Sequence, residues 1–455
     1  MAAKTAQLTF CGGAGEVTGS NFLFEAEGVK ILIDCGLIQG KKICDDRNFE
    51  PFPYDPREID ALFITHAHLD HTGRIPRLVE KGFSGAIYST VPTKKLAELM
   101  LVDSLGVFEK EAKRDNHQLI YTEADVPKSM SLWKTVPYHE PVSVGPFSVV
   151  LRNSGHILGS AMVEVTYNGK KIVFTGDLGN SPAPLLNDTE RITDADYLVM
   201  ESVYGDRNHE PHEEKRKRTE EAIEETFKAG GALLIPAFSL ERTQDLLFEI
   251  NNFVENKRIP RIPIFLDSPL AIAITKVYKE SGEFFNGETK SQIKSGDDVF
   301  NFPGLRMTRT TDESKSINLE PNPKIIIAGS GMSNGGRIVH HERMYLPDPK
   351  SAILLVGYQA AGTPGRMMQE GAKRVRILGT EIDVKARVVS IFGYSSHKDS
   401  DHLFAFVQDT ADTVKKVFAV MGEPKSSLFL VQRLRDYLGL DAVVPEKNEC
   451  VTLEF

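Results

Sequence analysis

Ala61-Leu62-Phe63-Ile64-Thr65-His66-Ala67-His68-Leu69-Asp70-His71-Thr72-Gly73 runs from an apolar stretch straight into four metal-capable side chains within six residues. Side chains that close in sequence cannot share one face of a helix. The stretch therefore reads as a strand opening into a loop, with several imidazoles turned on one point. Neutral imidazole and carboxylate suit a borderline cation such as Zn²⁺. The alternation predicts a split site, with His66 and His68 on one ion and Asp70 and His71 on a neighbouring one. Each ion needs further ligands from elsewhere. Candidates are Asp34 in Leu32-Ile33-Asp34-Cys35-Gly36, His156 in Ser154-Gly155-His156, and Asp177 in Phe174-Thr175-Gly176-Asp177. All three sit where an apolar run meets small residues, the pattern of strand ends that open into a shared cleft.

Around this segment, strand-like runs alternate with helical patterns, which predicts an α/β fold. Val29 to Asp34, Ala61 to Thr65, Phe147 to Asn153, Ala161 to Tyr167 and Lys171 to Thr175 read as strands, the last two joined by an Asn168-Gly169 hairpin turn. Arg74 to Lys81 reads as a helix stopped by Gly82, and a second helix should run from Pro92 to about Ser104. Past Gly205 the helices lengthen. The strands there, Ala232 to Pro236, Pro263 to Leu266, Lys324 to Ala328 and Ala352 to Val356, are continuously apolar, as in a parallel sheet covered on both faces. Asn286 to Pro321, rich in Gly, Ser, Asp and Asn, reads as a long mobile loop.

Composition sets the class. With 455 residues the chain should form two or three domains. Hydrophobic content of 41% and charged content of 26% exclude wholesale disorder. Cys11, Cys35, Cys44 and Cys450 show no paired spacing, which argues against a disulfide framework and for a reducing cytoplasm. The start, Met1-Ala2-Ala3-Lys4-Thr5-Ala6-Gln7, lacks the apolar core of a signal peptide, and no stretch is apolar for a membrane span. A net charge of −9 argues against a protein that coats nucleic acid nonspecifically, though not against a local basic groove. Arg242, Arg337, Arg366, Lys373, Arg374 and Arg376 are candidate cations for one. Lys215-Arg216-Lys217-Arg218 opens an amphipathic stretch and reads as a solvated helix face.

The set His66-x-His68-x-Asp70-His71 with Asp34, His156 and Asp177 resembles the metallo-β-lactamase superfamily. Five further segments are similar to the β-CASP nucleases within it: Gly13-Ala14-Gly15-Glu16-Val17-Thr18-Gly19-Ser20, Glu201-Ser202-Val203-Tyr204-Gly205, Ile235-Pro236-Ala237-Phe238-Ser239, Asp267-Ser268-Pro269-Leu270-Ala271 and Gly329 to Arg337. The likeness is to RNA-processing members related to the mRNA 3′-end cleavage endonuclease, in the bacterial and archaeal form without amino-terminal KH modules. It implies a metallo-β-lactamase αββα sandwich. Residues 1–205 would be its first part, 206–384 an inserted α/β β-CASP domain, and 385–455 the returning carboxy-terminal part.

The resemblance also implies roles. His66, His68 and His156 would hold one zinc, Asp70 and His71 a second, and Asp177 would bridge them; Asp34 would orient the His loop through hydrogen bonds. His397, in Tyr394-Ser395-Ser396-His397, would protonate the leaving group, paired with Glu201. Ser330, Ser333 and Arg337 would hold a substrate phosphate. The expected activity is hydrolysis of phosphodiester bonds in single-stranded RNA by metal-activated water, endonucleolytic, with a 5′ exonuclease mode and a homodimer left open.

One position departs from the pattern. RNA-processing relatives carry a histidine ligand in Val-His-Gly-Glu, where this chain has Val420-Met421-Gly422-Glu423. A thioether is a poor zinc ligand beside imidazole and carboxylate, so the second ion loses a ligand. DNA-processing members also carry an apolar residue there, which keeps a DNA-acting nuclease open, as well as a catalytically weak scaffold subunit. Gly13-x-Gly15 is a weak dinucleotide signal because the next glycine is at 19. A small-molecule hydrolase of the superfamily would need neither Glu201 nor His397.

Overall fold

The computed structural model describes residues 4–39, 45–116, 118–357 and 359–455, so Cys44 and residues 1–3 lie outside the described residues. The chain divides into two compact units. One is Met1–Ala183, Asn187–Asn208 and His397–Phe455, the other Pro184–Leu186 and His209–Ser396.

The first unit stacks two seven-stranded sheets. One runs Cys450–Glu454, Thr5–Gly12, Asn21–Ala26, Val29–Ile33, Ala61–Phe63, Ala86–Ser89, Trp133–Thr135. The other runs Ala442–Val443, Lys416–Val420, Tyr197–Glu201, Lys170–Phe174, Ala161–Tyr167, Phe147–Asn153, Val142–Val144. Alternation along each strand supplies the core. Phe10, Phe24 and Ile33 of one sheet meet Val163, Phe174 and Phe418 of the other. Phe10 and Phe418 lie 5.2 Å apart by ring centroids, as do Phe24 and Phe147. Each such ring contributes about 1.5–3 kcal/mol by leaving water.

The opposite residues of the second sheet, Val173, Leu198, Met200, Val417 and Ala419, pack under the helices Ser400–Gln408 and Pro424–Leu438 through Leu403, Val407, Leu430 and Leu434. Beside the first sheet, Val91–Asp115 and Asp125–Ser131 pack through Leu101, Phe108 and Val126. The layers are those of an αββα sandwich. None of the described helices is long and apolar enough to cross a membrane. Cys11 and Cys35 are buried and Cys450 is exposed, all three as free thiols.

Strand direction places the chemistry. Val29–Ile33 and Ala61–Phe63 run parallel and lead to Asp34 and to Thr65-His66. Lys170–Phe174, Tyr197–Glu201 and Lys416–Val420 also run parallel, so Asp177, Glu201 and Met421 follow the same ends of neighbouring strands. The Asn168-Gly169 turn joins Tyr167 to Lys170 with φ of 50° and 78° at its two central residues, the conformation of a type I′ hairpin.

The second unit carries a six-stranded parallel sheet in the order Leu305–Met307, Ile264–Leu266, Lys324–Ala328, Ala232–Pro236, Ala352–Val356, Arg387–Ile391. Lys324–Ala328, Ala232–Pro236 and Ala352–Val356 are buried at every residue, as strands covered on both faces are.

Arg387–Ile391 hydrogen-bonds along Ala352–Val356, and the first compact unit resumes at His397. Three expectations need correction. The helix starting at Val91 runs to Asp115, beyond Ser104; Gly106 faces open space and is tolerated, and termination waits for Asn116 at φ 53°. The Asn286–Pro321 stretch is no mobile loop. It holds the helix Gly287–Lys294, capped by the Asn286 side chain, the strand Leu305–Met307, and the helix Thr311–Ser316 with a capping box. The 215–218 run is not a solvated face either. Lys215 is buried with its ammonium 4.5 Å from the Tyr394 ring centroid, Arg216 lies 5.8 Å from the Phe253 ring, and Arg218 bonds Glu210 and the Ser390 carbonyl. Only Lys217 keeps the predicted exposure.

Candidate metal centre

The His segment begins as expected after Ala61–Phe63 but does not stay a loop. His68 is the N-cap of a single helical turn, Leu69–Thr72, which carries Asp70 and His71. That turn docks by backbone hydrogen bonds. Ser20 N–H donates to the Asp70 carbonyl at 2.9 Å, and Cys35 N–H to the His71 carbonyl at 2.8 Å. Glycine is required opposite: a Cβ at Gly36 would stand 1.6 Å from the Asp70 carbonyl oxygen.

His66, His68, His156 and Asp177 converge. His66 Nε2 to His68 Nδ1 is 3.0 Å, His68 Nδ1 to His156 Nε2 is 3.3 Å, and Asp177 Oδ2 lies 3.4 Å from His66 Nε2 and 3.5 Å from His156 Nε2. A tetrahedral ion with bonds of about 2.0–2.1 Å needs ligand edges of about 3.3 Å, so the four donor atoms fit one. Burial keeps the imidazoles of His66, His68 and His156 below their usual pKa, aided by neighbouring imidazoles, which leaves them neutral as ligation requires. Burial acts to raise Asp177, but the imidazoles of His71, His66 and His397 outweigh it and hold the carboxyl well below the usual range.

A second set adjoins the first. His71 Nε2 lies 3.4 Å from Asp177 Oδ1 and 3.9 Å from Asp70 Oδ2. His71 Nε2 and Asp177 Oδ1 are both buried and without hydrogen-bond partners, as expected of atoms that take a cation. Asp34 fixes the imidazole from behind. It is fully buried, at φ 60°, and its carboxylate accepts His71 Nδ1–H at 2.7 Å, Thr65 N–H at 2.8 Å, Thr65 Oγ–H at 2.9 Å and Ser20 Oγ–H at 3.0 Å. With Nδ1 donating to Asp34, His71 would turn its Nε2 lone pair to the centre on giving up the Nε2 proton to an ion. Asn tolerates the left-handed backbone, so Asp34→Asn isolates the charge. It should cost about 3–5 kcal/mol and weaken metal binding about 10- to 100-fold, read by denaturant unfolding and chelator titration. A stability and metal affinity equal to the parent's would refute this positioning role.

Next to Asp177, His397 Nδ1 lies 3.1 Å from Glu201 Oε2 and 3.9 Å from Asp177 Oδ2, with its ring 4.6 Å from that of His156. The residues around it are tied down. Gly179 bridges His397 through the backbone, Leu178 N–H donates to Glu201 Oε1 at 2.6 Å, and Lys398 N–H to the Leu178 carbonyl at 2.9 Å. Burial acts to lower the His397 pKa, yet the carboxylates of Glu201 and Asp177 outweigh it and raise it to about 9.

The expected phosphate-binding residues lie in the second unit. Arg337 is committed to Asp267 at 2.7 Å and to the Thr308 and Arg309 carbonyls; Ser333 is buried at φ 59°, and Ser330 Oγ–H donates to Asn334 at 2.5 Å. Asp267 also accepts from Thr308, Ser314 and His341, so Arg337 closes a buried network. Of the expected basic groove, Arg366 and Arg374 are paired with Glu370 and Asp383. Sequence reasoning gave no role to Thr65, whose hydroxyl joins Asp34 to His66, or to Ser160, whose Oγ accepts the His156 N–H at 3.0 Å. Thr65 was legible, being the polar residue that ends the strand before the cluster; Ser160 was not.

Residues 23–202 match a metallo-β-lactamase superfamily domain, 243–368 a Beta-Casp domain, and 381–445 a Zn-dependent metallo-hydrolase RNA specificity domain. The chain is 37% identical to Ribonuclease TTHA0252 of Thermus thermophilus over 92% of its own length and 94% of that protein's. It is 30% identical to the transcription termination factor FttA of Methanosarcina mazei, over 98% and 71% respectively, and 32% identical to an RNase J-like protein of Methanocaldococcus jannaschii, over 97% and 98%. A crystal structure of a protein of unknown function from Enterococcus faecalis shares the fold, with a TM-score of 0.57 at 14% identity, covering 99% of this chain and all of that one. With the paired sheets, the convergent His and Asp donors and these matches along the whole chain, the protein belongs to the β-CASP family of metallo-β-lactamase-fold metal-dependent hydrolases.

Proposed function

We propose that this chain is a zinc-dependent ribonuclease that cuts phosphodiester bonds within single-stranded RNA. The observation that carries the reading is the adjacency of a four-donor metal set to the Glu201–His397 pair, since phosphodiester hydrolysis needs both an activated water and a proton for the leaving alkoxide. His66, His68 and His156 would hold one ion, Asp70 and His71 the other, and Asp177 would face both. Bound zinc supplies Lewis-acid activation of water and stabilises charge developing on the phosphoryl oxygens. Glu201 accepts His397 Nδ1–H and keeps the imidazole protonated, so His397 is placed to hand a proton to the departing oxygen. Names of relatives support RNA as the substrate: a ribonuclease, an RNase J-like protein and an RNA specificity domain.

The test incubates zinc-loaded protein with end-labelled single-stranded RNA and DNA of equal sequence, beside Asp70→Ala. Internal RNA cuts that Asp70→Ala abolishes are expected. Cleavage of DNA alone would make it a DNA-acting nuclease, and cleavage of neither at full zinc content would leave a scaffold.

Met421 follows the strand that pairs Val420 with Glu201, is buried at φ 49°, and packs its sulfur against Gly13. On this reading the second ion keeps only Asp70, His71 and Asp177. The protein should then retain close to one zinc per chain under mild chelation, and Met421→His should raise this toward two, by elemental analysis. An unchanged zinc content would show that position 421 serves the apolar core alone.

A further inference from the structure

A cavity of about 570 Å³ opens in the first unit, and none of the proposed metal ligands lines it. Its size lies within the range of about 300–1,000 Å³ usual for small-molecule sites. The rings of Phe52 and Tyr54 line it, stacked at 5.5 Å with 25° between their planes. The Arg74 guanidinium lies 5.1 Å from the Phe52 ring centroid; this residue is 5% exposed and donates Nε–H to the Gly36 carbonyl at 2.7 Å. Arg77, which lines the cavity, donates Nη2–H to the Phe49 carbonyl at 2.7 Å, while its buried Nε has no partner.

Glu50 and Asp55 also line the cavity; Arg57 on the rim holds Asp55 at 2.6 Å and Lys81 holds Glu80 at 3.0 Å, while among the described residues no salt bridge reaches Arg74 or Arg77. Arg77 is half-buried, and burial pulls it below its ordinary pKa although Glu80 acts the other way. An anion would relieve it. A π-face, an unpaired guanidinium and room for a mononucleotide are the features that grip single-stranded nucleic acid. An apolar ligand would leave Arg77 unmet, and an acidic peptide would leave the stacked rings unused.

Hydrogen bonds connect the cavity wall to the centre. Tyr54 Oη–H donates to Asn21 Oδ1 at 3.0 Å, Asn21 Nδ2–H donates to the Asp34 carbonyl at 2.7 Å, and the Asp34 carboxylate holds His71. We propose that this cavity is a subsite for one nucleotide of the RNA strand, its base stacked on Phe52 and Tyr54 and its phosphate on Arg77. The subsite rests on the ribonuclease reading and extends it to a nucleotide away from the scissile bond.

The test uses the whole chain, stripped of metal so that no turnover is needed, and a fluorescein-labelled single-stranded RNA of about 20 nucleotides read by anisotropy. Phe52→Ala and Arg77→Gln should each weaken binding about 5- to 100-fold. Lys81→Ala, on the exposed rim, should lower the slope of log affinity against log salt by about 0.7. Phe52→Trp should restore the affinity lost in Phe52→Ala, which separates stacking from a folding defect. RNA containing 4-thiouridine should cross-link to the peptide 50–57. The subsite is overturned if the parent binds RNA and both Phe52→Ala and Arg77→Gln bind it equally well; the ribonuclease reading then stands. Adenosine monophosphate competing as strongly as the strand would make this a free-nucleotide site. Binding of polyglutamate in place of RNA would make it a protein-docking site, and either result also overturns the proposal.

Discussion

Asp177→Ala should empty the metal centre and lower RNA cleavage by about 10⁴-fold or more. Its two oxygens face opposite ways, Oδ2 toward His66 and His156, Oδ1 toward His71. Among the described residues no other carboxylate reaches both donor sets, so the single substitution would take a ligand from each. It also removes the anion that offsets a crowded group of imidazoles. His71, held between Asp34 and Asp177, has its pKa raised well above the ordinary value because these carboxylates outweigh its burial, and losing Asp177 leaves that charge half-compensated. The metal-free variant should therefore be less stable than the metal-free parent by about 3–5 kcal/mol. Elemental analysis, denaturant unfolding and cleavage of end-labelled RNA read the three effects. Unchanged metal content with cleavage within tenfold of the parent would remove Asp177 from the centre.

His397→Ala should lower turnover about 10²- to 10⁴-fold while metal content stays that of the parent. The imidazole stands beside the proposed ligands, 3.9 Å from Asp177 Oδ2, but its Nδ1 is turned to Glu201 at 3.1 Å. That geometry suits a proton donor positioned by a buried carboxylate. Glu201→Gln keeps the shape, removes the charge that holds the proton on His397, and should reproduce part of the loss. Metal lost from His397→Ala would make the residue a ligand; turnover equal to the parent's would leave the leaving group without its proposed acid.

The difference between these two substitutions lies in tertiary placement, since Asp177 and His397 both read in sequence as polar residues at strand ends. Sequence alone determined the local part of this protein. Apolar runs of Ala232–Pro236, Lys324–Ala328 and Ala352–Val356 suit strands buried on two faces, Asn168-Gly169 is a strong hairpin signal, and the structure has both. The His66–His71 cluster pointed to the proposed centre because four metal-capable side chains in six residues have few other uses. Readings failed where a distant partner decides. Lys215 is charged, so its sequence neighbourhood predicts solvent, but Tyr394 offers it an aromatic face. Arg387–Ile391 carries nothing in its own sequence that says which sheet it joins, and hydrogen bonding to Ala352–Val356 places it in the second unit's sheet. The 286–321 stretch has a loop's composition, yet caps at Asn286 and Thr310 satisfy the backbone groups that such residues otherwise leave to water. Ligand identity is a property of residue type and spacing, which the chain displays locally. Ligand geometry, the tautomer of His71 and the charge of His397 depend on carboxylates 37 and 196 residues away in sequence, and only the folded chain brings those fields to bear.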